Sequence, residues 1–359
     1  MPLTAASAPV PSAGAKLLVL AKDGTLKHTA RSDLARCFSR GDVVVANDAL
    51  TLPASLSGTH VPTGAPIEVR LAAIASLEPA ALRTCRAVVF GAGDFRTRTE
   101  DRAPPPPLSP GDRLALGPLV ASVAATMGHP RWVSLSFEGS TAAIWAGIAR
   151  HGRPIQYAHV PTPLTLWDVW TPIAGRPVAF EAPSAGFALD WQTLAAMRAR
   201  RVVFATLTHA AGISSTGDPA LDADLPFDEP YSIPSATVRA IGCARARGRR
   251  VIAVGTTVVR ALEHAASRGS LRPGEGVATQ RIGAGTRLSI VDAVLSGTHE
   301  PGSSHYELLR AFADDAILRR AVAELESRGY RTHEFGDSVL LERQETLARA
   351  RAPLPALAA

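Results

Sequence analysis

Gly255, Thr256 and Thr257 follow directly on the apolar run Val251 to Val254, and Val258, Val259 and Leu262 then recur at helical spacing. This is the pattern of a buried parallel strand that hands its C-terminal end to a ligand, where α/β proteins place their chemistry. Glycine lets the backbone approach closely, and the free amides at the start of the following helix would favour a carboxylate, a phosphate or partial negative charge, with Thr256 as the expected N-cap. On residue type alone an ordinary strand–turn–helix junction fits as well. Arg260 lies four residues past Thr256, so it either returns to the same site or pairs with Glu263 on the surface. His299 sits between an apolar run, Ile290 to Leu295, and a Pro-Gly turn. An imidazole there is either an acid or base near neutral pH or a satisfied surface histidine.

Those groups need an α/β framework. Lys16 to Leu20 and Asp42 to Ala46 read as strands around a short helix near Ser32 to Phe38. From Leu56 to Phe137 the pattern changes to short alternating strands: Ile67 to Leu71, Ala87 to Phe90, Leu119 to Ala125 and Trp132 to Phe137. Turn residues and the stiff Pro104 to Pro107 loop separate them. After Thr141 the α/β character resumes with helix Ala142 to Ala149, strand Val178 to Glu181, helix Asp190 to Ala199 and strand Arg201 to Leu207. A turn-rich segment, Ala210 to Ser235, is too long for a plain connection and reads as an active-site loop. Helix Ala236 to Ala246, the Val251 strand with its helix, a C-terminal helix Ser304 to Arg328 and a closing strand Ser338 to Leu341 complete the chain.

At 359 residues, 46% hydrophobic and 19% charged, the chain suits two domains or one domain with an insertion. No apolar run approaches the roughly 20 residues of a membrane span, and the N-terminus lacks a secretory pattern, so a cytoplasmic location is expected. Cys37, Cys85 and Cys243 are odd in number and without CxxC or Cys/His spacing, so buried thiols are expected rather than a disulfide framework or a zinc site. The net charge of +6 suits a polyanion, but lysine occurs only at 16, 22 and 27 and the arginine excess reads as compositional bias. The clusters Arg198, Arg200, Arg201 and Arg245, Arg247, Arg249, Arg250 are expected at helix C-termini, where cations complement the dipole.

The whole string RVIAVGTTVVRALE, Arg250 to Glu263, resembles the GTTxxRxLE signature of the S-adenosylmethionine:tRNA ribosyltransferase-isomerase family. GDVVVANDALTLPASLSG (Gly41 to Gly58) resembles GDxLVxNDTRVxPARLxG, and TGAPIEVRL (Thr63 to Leu71) resembles TGGKVEVLL. APSAGFAL (Ala182 to Leu189) is similar to APTAGLHF. The block Leu288 to Ala313 is similar to VVDxLxTNFHLPxSTLLxLVxAFA, and YRTHEFGDSVLL (Tyr330 to Leu341) to YRFxSYGDAMLI. Six blocks in the family's order span nearly the whole chain. The departures are as specific. The family's N-terminal FxYxLPxxxIAxxP segment is replaced by the small-residue stretch Ala5 to Ala15, and its Thr-Arg and PAR arginine are replaced by Ala49-Leu50 and Ser55. LHVGxGTFxPV survives only as LTHAAGISSTG, where either Thr208 or His209 stands for the histidine; HxMHxE has lost both histidines, leaving Phe227, Asp228 and Glu229.

The resemblance implies an α/β fold, a mixed sheet with flanking helices plus an inserted small antiparallel β-barrel domain, divided as 1–55, 56–140 (the barrel) and 141–359. It implies transfer and isomerisation of the ribosyl part of S-adenosylmethionine onto 7-aminomethyl-7-deazaguanine in a tRNA anticodon stem-loop, with release of adenine and methionine and no metal. Such an enzyme needs a base for the C5′ protons, which the sulfonium acidifies, and a way to protonate departing adenine. His299, Glu229 and Asp228 are the catalytic candidates. Asn47, Asp48, Gly255, Thr256, Thr257, Arg260, Ser303, Ser304 and Asp337 are the binding candidates. For Asn47 and Asp48 a turn role remains open, for Ser303 and Ser304 a pure helix cap, and for Asp337 a turn that only shapes the last strand. His60, His129, His151, His159, His305 and His333 have no partner the sequence identifies. Two other functions fit the departures: an S-adenosylmethionine-using enzyme with a non-tRNA acceptor, and a non-catalytic binding protein on the same scaffold.

Overall fold

The computed structural model describes residues 3–8 and 14–344. Residues 9–13 of the small-residue stretch and 345–359 of the last segment lie outside the described residues. A nine-stranded mixed sheet forms the main body, in the order Gly274–Ala278, Glu229–Ile233, Val203–His209, Val43–Asn47, Val251–Val254, Ala293–Gly297, Ser338–Glu342, Lys16–Leu20, Leu26–Ala30. The four strands from Val203–His209 to Ala293–Gly297 run parallel. Their neighbours on the Glu229 side and on the Ser338 side pair antiparallel to them.

Successive side chains of a strand point to opposite faces, and here both faces are covered. Val43, Val45, Val251 and Ala253 pack with Val258, Val259 and Leu262 of helix Thr256–Ala266 and with Leu318 of helix Asp315–Ser327. Val44, Ala46, Ile252 and Val254 pack on the other side with Leu34, Phe38 and Met197. That explains why the strands read as continuous apolar runs rather than alternating ones.

Six antiparallel strands close into a barrel: Leu119–His129, Trp132–Phe137, Thr84–Phe90, Ala65–Ala73, Ser55–His60 and Arg113–Leu116, which returns to the first. Closure brings Ser55–His60 and Arg113–Leu116 together at Gly58, where a Cβ would lie 2.1 Å from the Ala115 carbonyl oxygen. Only glycine fits there without moving a strand. Inside, Leu56, Val69, Val89, Leu114 and Leu135 form one apolar core with Phe180, Ala210 and Ala211. The barrel core therefore runs without a break into the chain segments that lead to the sheet.

Four local readings change. Ala210 to Ser235 holds a short helix, Pro219–Asp222, and a buried strand, Glu229–Ile233, because Tyr231 and Ile233 join the main core. The C-terminal helix is two, Ser304–Leu309 and Asp315–Ser327, the second capped by Asp314 accepting from the Ile317 amide at 2.9 Å. Leu26–Ala30 and Gly274–Ala278 are sheet-edge strands that the pattern did not disclose. Cys85 is buried and Cys37 half-buried, but Cys243 is exposed on helix Ser235–Ala246. No helix among the described residues is long and apolar enough to cross a membrane.

Candidate active site

The carboxyl ends of the parallel strands converge on His209, Asn47, Gly255 and the segment Gly297-Thr298-His299. Gly255, not Thr256, is the N-cap of helix Thr256–Ala266; its φ of 94° and ψ of 154° are open to glycine alone. Thr256 is thereby the first helical residue. A small cavity of about 90 Å³ is lined by Gly255, Thr256, Thr257, Arg260, Glu229, Ser296, His299, Ser304 and His305. A larger one of about 690 Å³ adjoins it, and both share Glu181, Ser184, Ser214, His299 and His305 in their walls. The larger one reaches out past Tyr157 and His159 to Arg98 and Glu100 beside the barrel.

His299 and His305 face each other as a stacked pair, ring centroids 4.4 Å apart and 11° from parallel. The short turn after His299 and the N-cap of the next helix produce this stack. Ser303 Oγ donates to the Glu300 carbonyl at 2.9 Å and accepts from the Tyr306 amide at 3.2 Å, so its hydroxyl serves the helix start while Ser304 faces the small cavity. Burial, reinforced by His305 and His333, holds His299 well below the usual histidine range. Burial, with Arg260, brings His305 down to about 4. Both rings are therefore neutral at pH 7, one nitrogen of each free to accept a proton.

Glu229 is buried in the wall of the small cavity. It accepts from the Gly212 amide at 2.6 Å and from the Arg260 guanidinium, which also donates to the carbonyls of Phe227, Ala278 and Gln280. Burial pushes the Glu229 carboxyl up against the pull of Arg260. Arg260 is itself buried and turned inward rather than toward Glu263, whose carboxylate instead accepts from the amides of Ser289, Ile290 and Val291. His209 Nε2 lies 3.5 Å from Glu229, while Thr208 hydrogen-bonds Asp48 at 2.7 Å. Of the two alternatives for the family histidine, His209 is the one beside the buried carboxylate, and burial together with Arg260 keeps it far below the ordinary value.

Four predicted residues lie outside both cavity walls. Asp228 is exposed. Asn47 staples strands together, donating to the His209 carbonyl at 2.9 Å and accepting from the amides of His209 and Ala49. Asp48 is bound to Thr208. Asp337 is buried and accepts from the amides of Lys16 at 2.6 Å and Arg331 at 2.8 Å, which fixes the start of the last strand.

The histidines left without partners in the sequence have them here. His60 contacts Thr63 and Asp112, His129 meets Asp218, and His151 reaches the Ser57 carbonyl. His159 binds Glu334 at 3.2 Å and stacks on His333 at 4.3 Å. His159, His333 and Glu334 are, among the described residues, the group whose ligand atoms are close enough to hold a metal ion, within 4.8 Å of one another. Glu181, Tyr157, Ser184, Ser214 and His305 were not singled out by sequence reasoning. His305 carried a signal, since it lies six residues after His299 across a Pro-Gly turn; Tyr157 and Glu181 meet only through tertiary packing.

The chain resembles known proteins over nearly its whole length. The family model described as Queuosine biosynthesis protein matches residues 2–341. S-adenosylmethionine:tRNA ribosyltransferase-isomerase of Synechococcus elongatus is 31% identical over 350 residues, covering 94% of this chain and 92% of its own length. The protein of the same name from Anaeromyxobacter sp. strain Fw109-5 is 32% identical over 343 residues, covering 93% and 94%. The crystal structure of S-adenosylmethionine tRNA ribosyltransferase from Thermotoga maritima superposes with a TM-score of 0.50 at 23% identity, covering 95% of this chain and 98% of that one, a likeness of fold.

Proposed function

The chain belongs to the queuosine biosynthesis protein family, and from that premise we propose that it transfers and isomerises the ribosyl moiety of S-adenosylmethionine onto a 7-aminomethyl-7-deazaguanine in the anticodon stem-loop of tRNA. Adenine and methionine leave. The observation that carries this reading is the meeting of Gly255, Thr256, Thr257, Arg260, Ser304, His299 and His305 around one small cavity that opens into a larger one. In the division of labour we propose, residues 56–140 form a barrel domain inserted between 1–55 and 141–359, and the large cavity between barrel and sheet receives the modified base.

Within this reading the amides at the start of helix Thr256–Ala266 hold the electron-rich end of the cosubstrate. Neutral His299 removes the C5′ proton that the sulfonium acidifies, and His305 keeps its ring in plane by stacking. The buried Glu229–Arg260 pair braces the cavity wall. The sulfonium itself supplies the electrophilic activation, so the chemistry calls for no metal. The enzyme would act in the cytoplasm, where tRNA is modified.

The test is purified protein with S-adenosylmethionine, with and without tRNA carrying the aminomethyl deazaguanine, following adenine, methionine and the mass of the modified nucleoside. Adenine release that needs this tRNA, with an epoxide-bearing cyclopentane added to it, is expected. Release with no tRNA present, or with a free deazapurine only, would replace the proposed acceptor with a small molecule. Binding without turnover would reduce the chain to a binding protein.

A further inference from the structure

Glu181 stands where the two cavities meet and lines both. Its carboxylate accepts a short hydrogen bond from Tyr157 Oη, and Ser214, on the loop opposite, also reaches it. Tyr157 is held in turn: the Arg70 guanidinium lies 5.6 Å from its ring centroid, and Arg70 is locked to Glu68 at 2.8 Å on the barrel's outer face, opposite to Val69 in its core. His299 and His305 occupy the same shared wall. A carboxyl group so enclosed, hydrogen-bonded by Tyr157 and Ser214 and open to a cavity that also presents neutral imidazoles, has the position of a proton donor rather than of a surface acid.

We propose that Glu181 is the catalytic acid that protonates departing adenine, and that Tyr157 is a positioning residue for its carboxyl. The proposal rests on the reaction proposed above and names a group for its unassigned step. His299 takes a C5′ proton. The electron pair left at C5′ forms the C4′–C5′ double bond, the C4′–O4′ pair becomes the second bond of a C1′ carbonyl, and the C1′–N9 pair leaves with adenine, which takes the Glu181 proton. Water in the larger cavity then reprotonates the carboxylate and removes the proton from His299, so charge and atoms balance.

The electrostatics run the same way. Burial, with some help from Glu334, pushes the Glu181 carboxyl up, while Ser214 and Tyr157 pull against it. Its proton is therefore retained to higher pH than that of a free glutamic acid, whereas His299 is kept in its base form. Two groups in one cavity wall whose surroundings drive them in opposite senses are placed as an acid and a base.

The experiment compares wild type, Glu181→Gln and Tyr157→Phe on the modified tRNA, with S-adenosylmethionine binding measured by calorimetry to certify the fold. Glu181→Gln keeps the shape and an oxygen for Tyr157 but has no proton to give. Its kcat should fall about 10²–10³-fold with KM for S-adenosylmethionine within threefold of wild type. The alkaline limb of its kcat profile should vanish. Tyr157→Phe removes a hydrogen bond that favours the carboxylate, so the alkaline limb should move to higher pH at unchanged KM; a purely structural tyrosine would leave the limb in place. A Glu181→Gln enzyme within threefold of the wild-type kcat, or an unmoved limb in Tyr157→Phe, overturns the assignment while the ribosyl transfer stands. A wild type that releases no adenine on this tRNA overturns both.

Discussion

Arg260 and Glu229 can be taken apart one at a time. Both are buried, at 3% and 6% exposure, and the guanidinium meets the carboxylate while also donating to three backbone carbonyls. Arg260→Met keeps a packed stem but leaves a carboxylate whose remaining donors, chiefly the Gly212 amide at 2.6 Å, carry no charge. Removing one partner of a buried pair costs about 3–5 kcal/mol, a large share of the ~5–15 kcal/mol that holds a domain folded. Glu229→Gln leaves the arginine unpaired and should cost about the same. The double variant has no charge left to strand, so it should lose about 3–5 kcal/mol rather than the sum of about 6–10, a coupling of about 3–5 kcal/mol. Urea unfolding followed by circular dichroism, with an unchanged dependence on denaturant, gives all four corners.

The pH dependence has a definite sign. In wild type the Glu229 carboxyl is already raised by burial, and Arg260 is the largest influence lowering it. Without Arg260 it rises further above its unfolded value. A raised carboxyl contributes stability that is complete below the unfolded value and is lost as pH rises through the folded one. The deficit of Arg260→Met should accordingly be smallest near the unfolded value of about 4.3 and grow toward pH 7. Strict additivity of the two single variants, or an Arg260→Met cost under about 1 kcal/mol, would refute the reasoning.

Asp337→Asn should weaken the fold without touching the cavities. One carboxylate oxygen each receives the Lys16 and Arg331 amides, and an amide NH₂ cannot accept the second, so a loss of about 1–3 kcal/mol is expected in thermal or urea unfolding; a variant as stable as wild type would dismiss the clamp. His305 should titrate by NMR with a midpoint of about 4. Since that lies below the unfolded value of about 6.5, its contribution to stability is complete above 6.5 and drains away as pH falls through 4, and a midpoint near 6.5 would show the ring to be solvated.

The strands of the sheet were legible because a strand buried on both faces must be apolar at every position: Val43 to Ala46 and Val251 to Val254 show this directly. Gly255 was legible for the same reason as a motif, since a strand end and an amphipathic helix bracket it. Leu26–Ala30 was not, because an edge strand carrying Lys27, His28 and Thr29 has no burial pattern to reveal it. The break between the two last helices is written in Asp314, a strong N-cap, but an apolar periodicity runs across it and hides the stop. At the site, Ser304 and His299 lie on one short stretch of chain. Glu181 and Tyr157 lie 24 residues apart in sequence, and Tyr157 lies 57 and 58 residues from Ser214 and Ser215; only the fold brings them together, and nothing in one sequence announces such a meeting. Asn47 and Asp337 illustrate the converse: residue types able to bind a ligand are consumed by backbone amides and carbonyls.

A cationic cosubstrate imposes a condition on the cleft that the protonation states meet. S-adenosylmethionine brings a sulfonium, and two imidazolium rings in the wall would repel it. Lowering His299 and His305 by burial removes that repulsion and, in the role proposed above, keeps His299 in the base form that a sulfonium-activated C5′ proton requires. The single cation among the small cavity's lining residues, Arg260, is matched by Glu229, so it adds little net positive charge. The net charge of +6 is thus carried away from the reacting centre, where it can favour an RNA backbone without opposing the cosubstrate. On this argument, raising salt should weaken tRNA association steeply and S-adenosylmethionine binding little. Filter binding for the tRNA and calorimetry for the cosubstrate, each from 50 to 200 mM salt, would separate the two, and equal salt slopes would refute the segregation of charge.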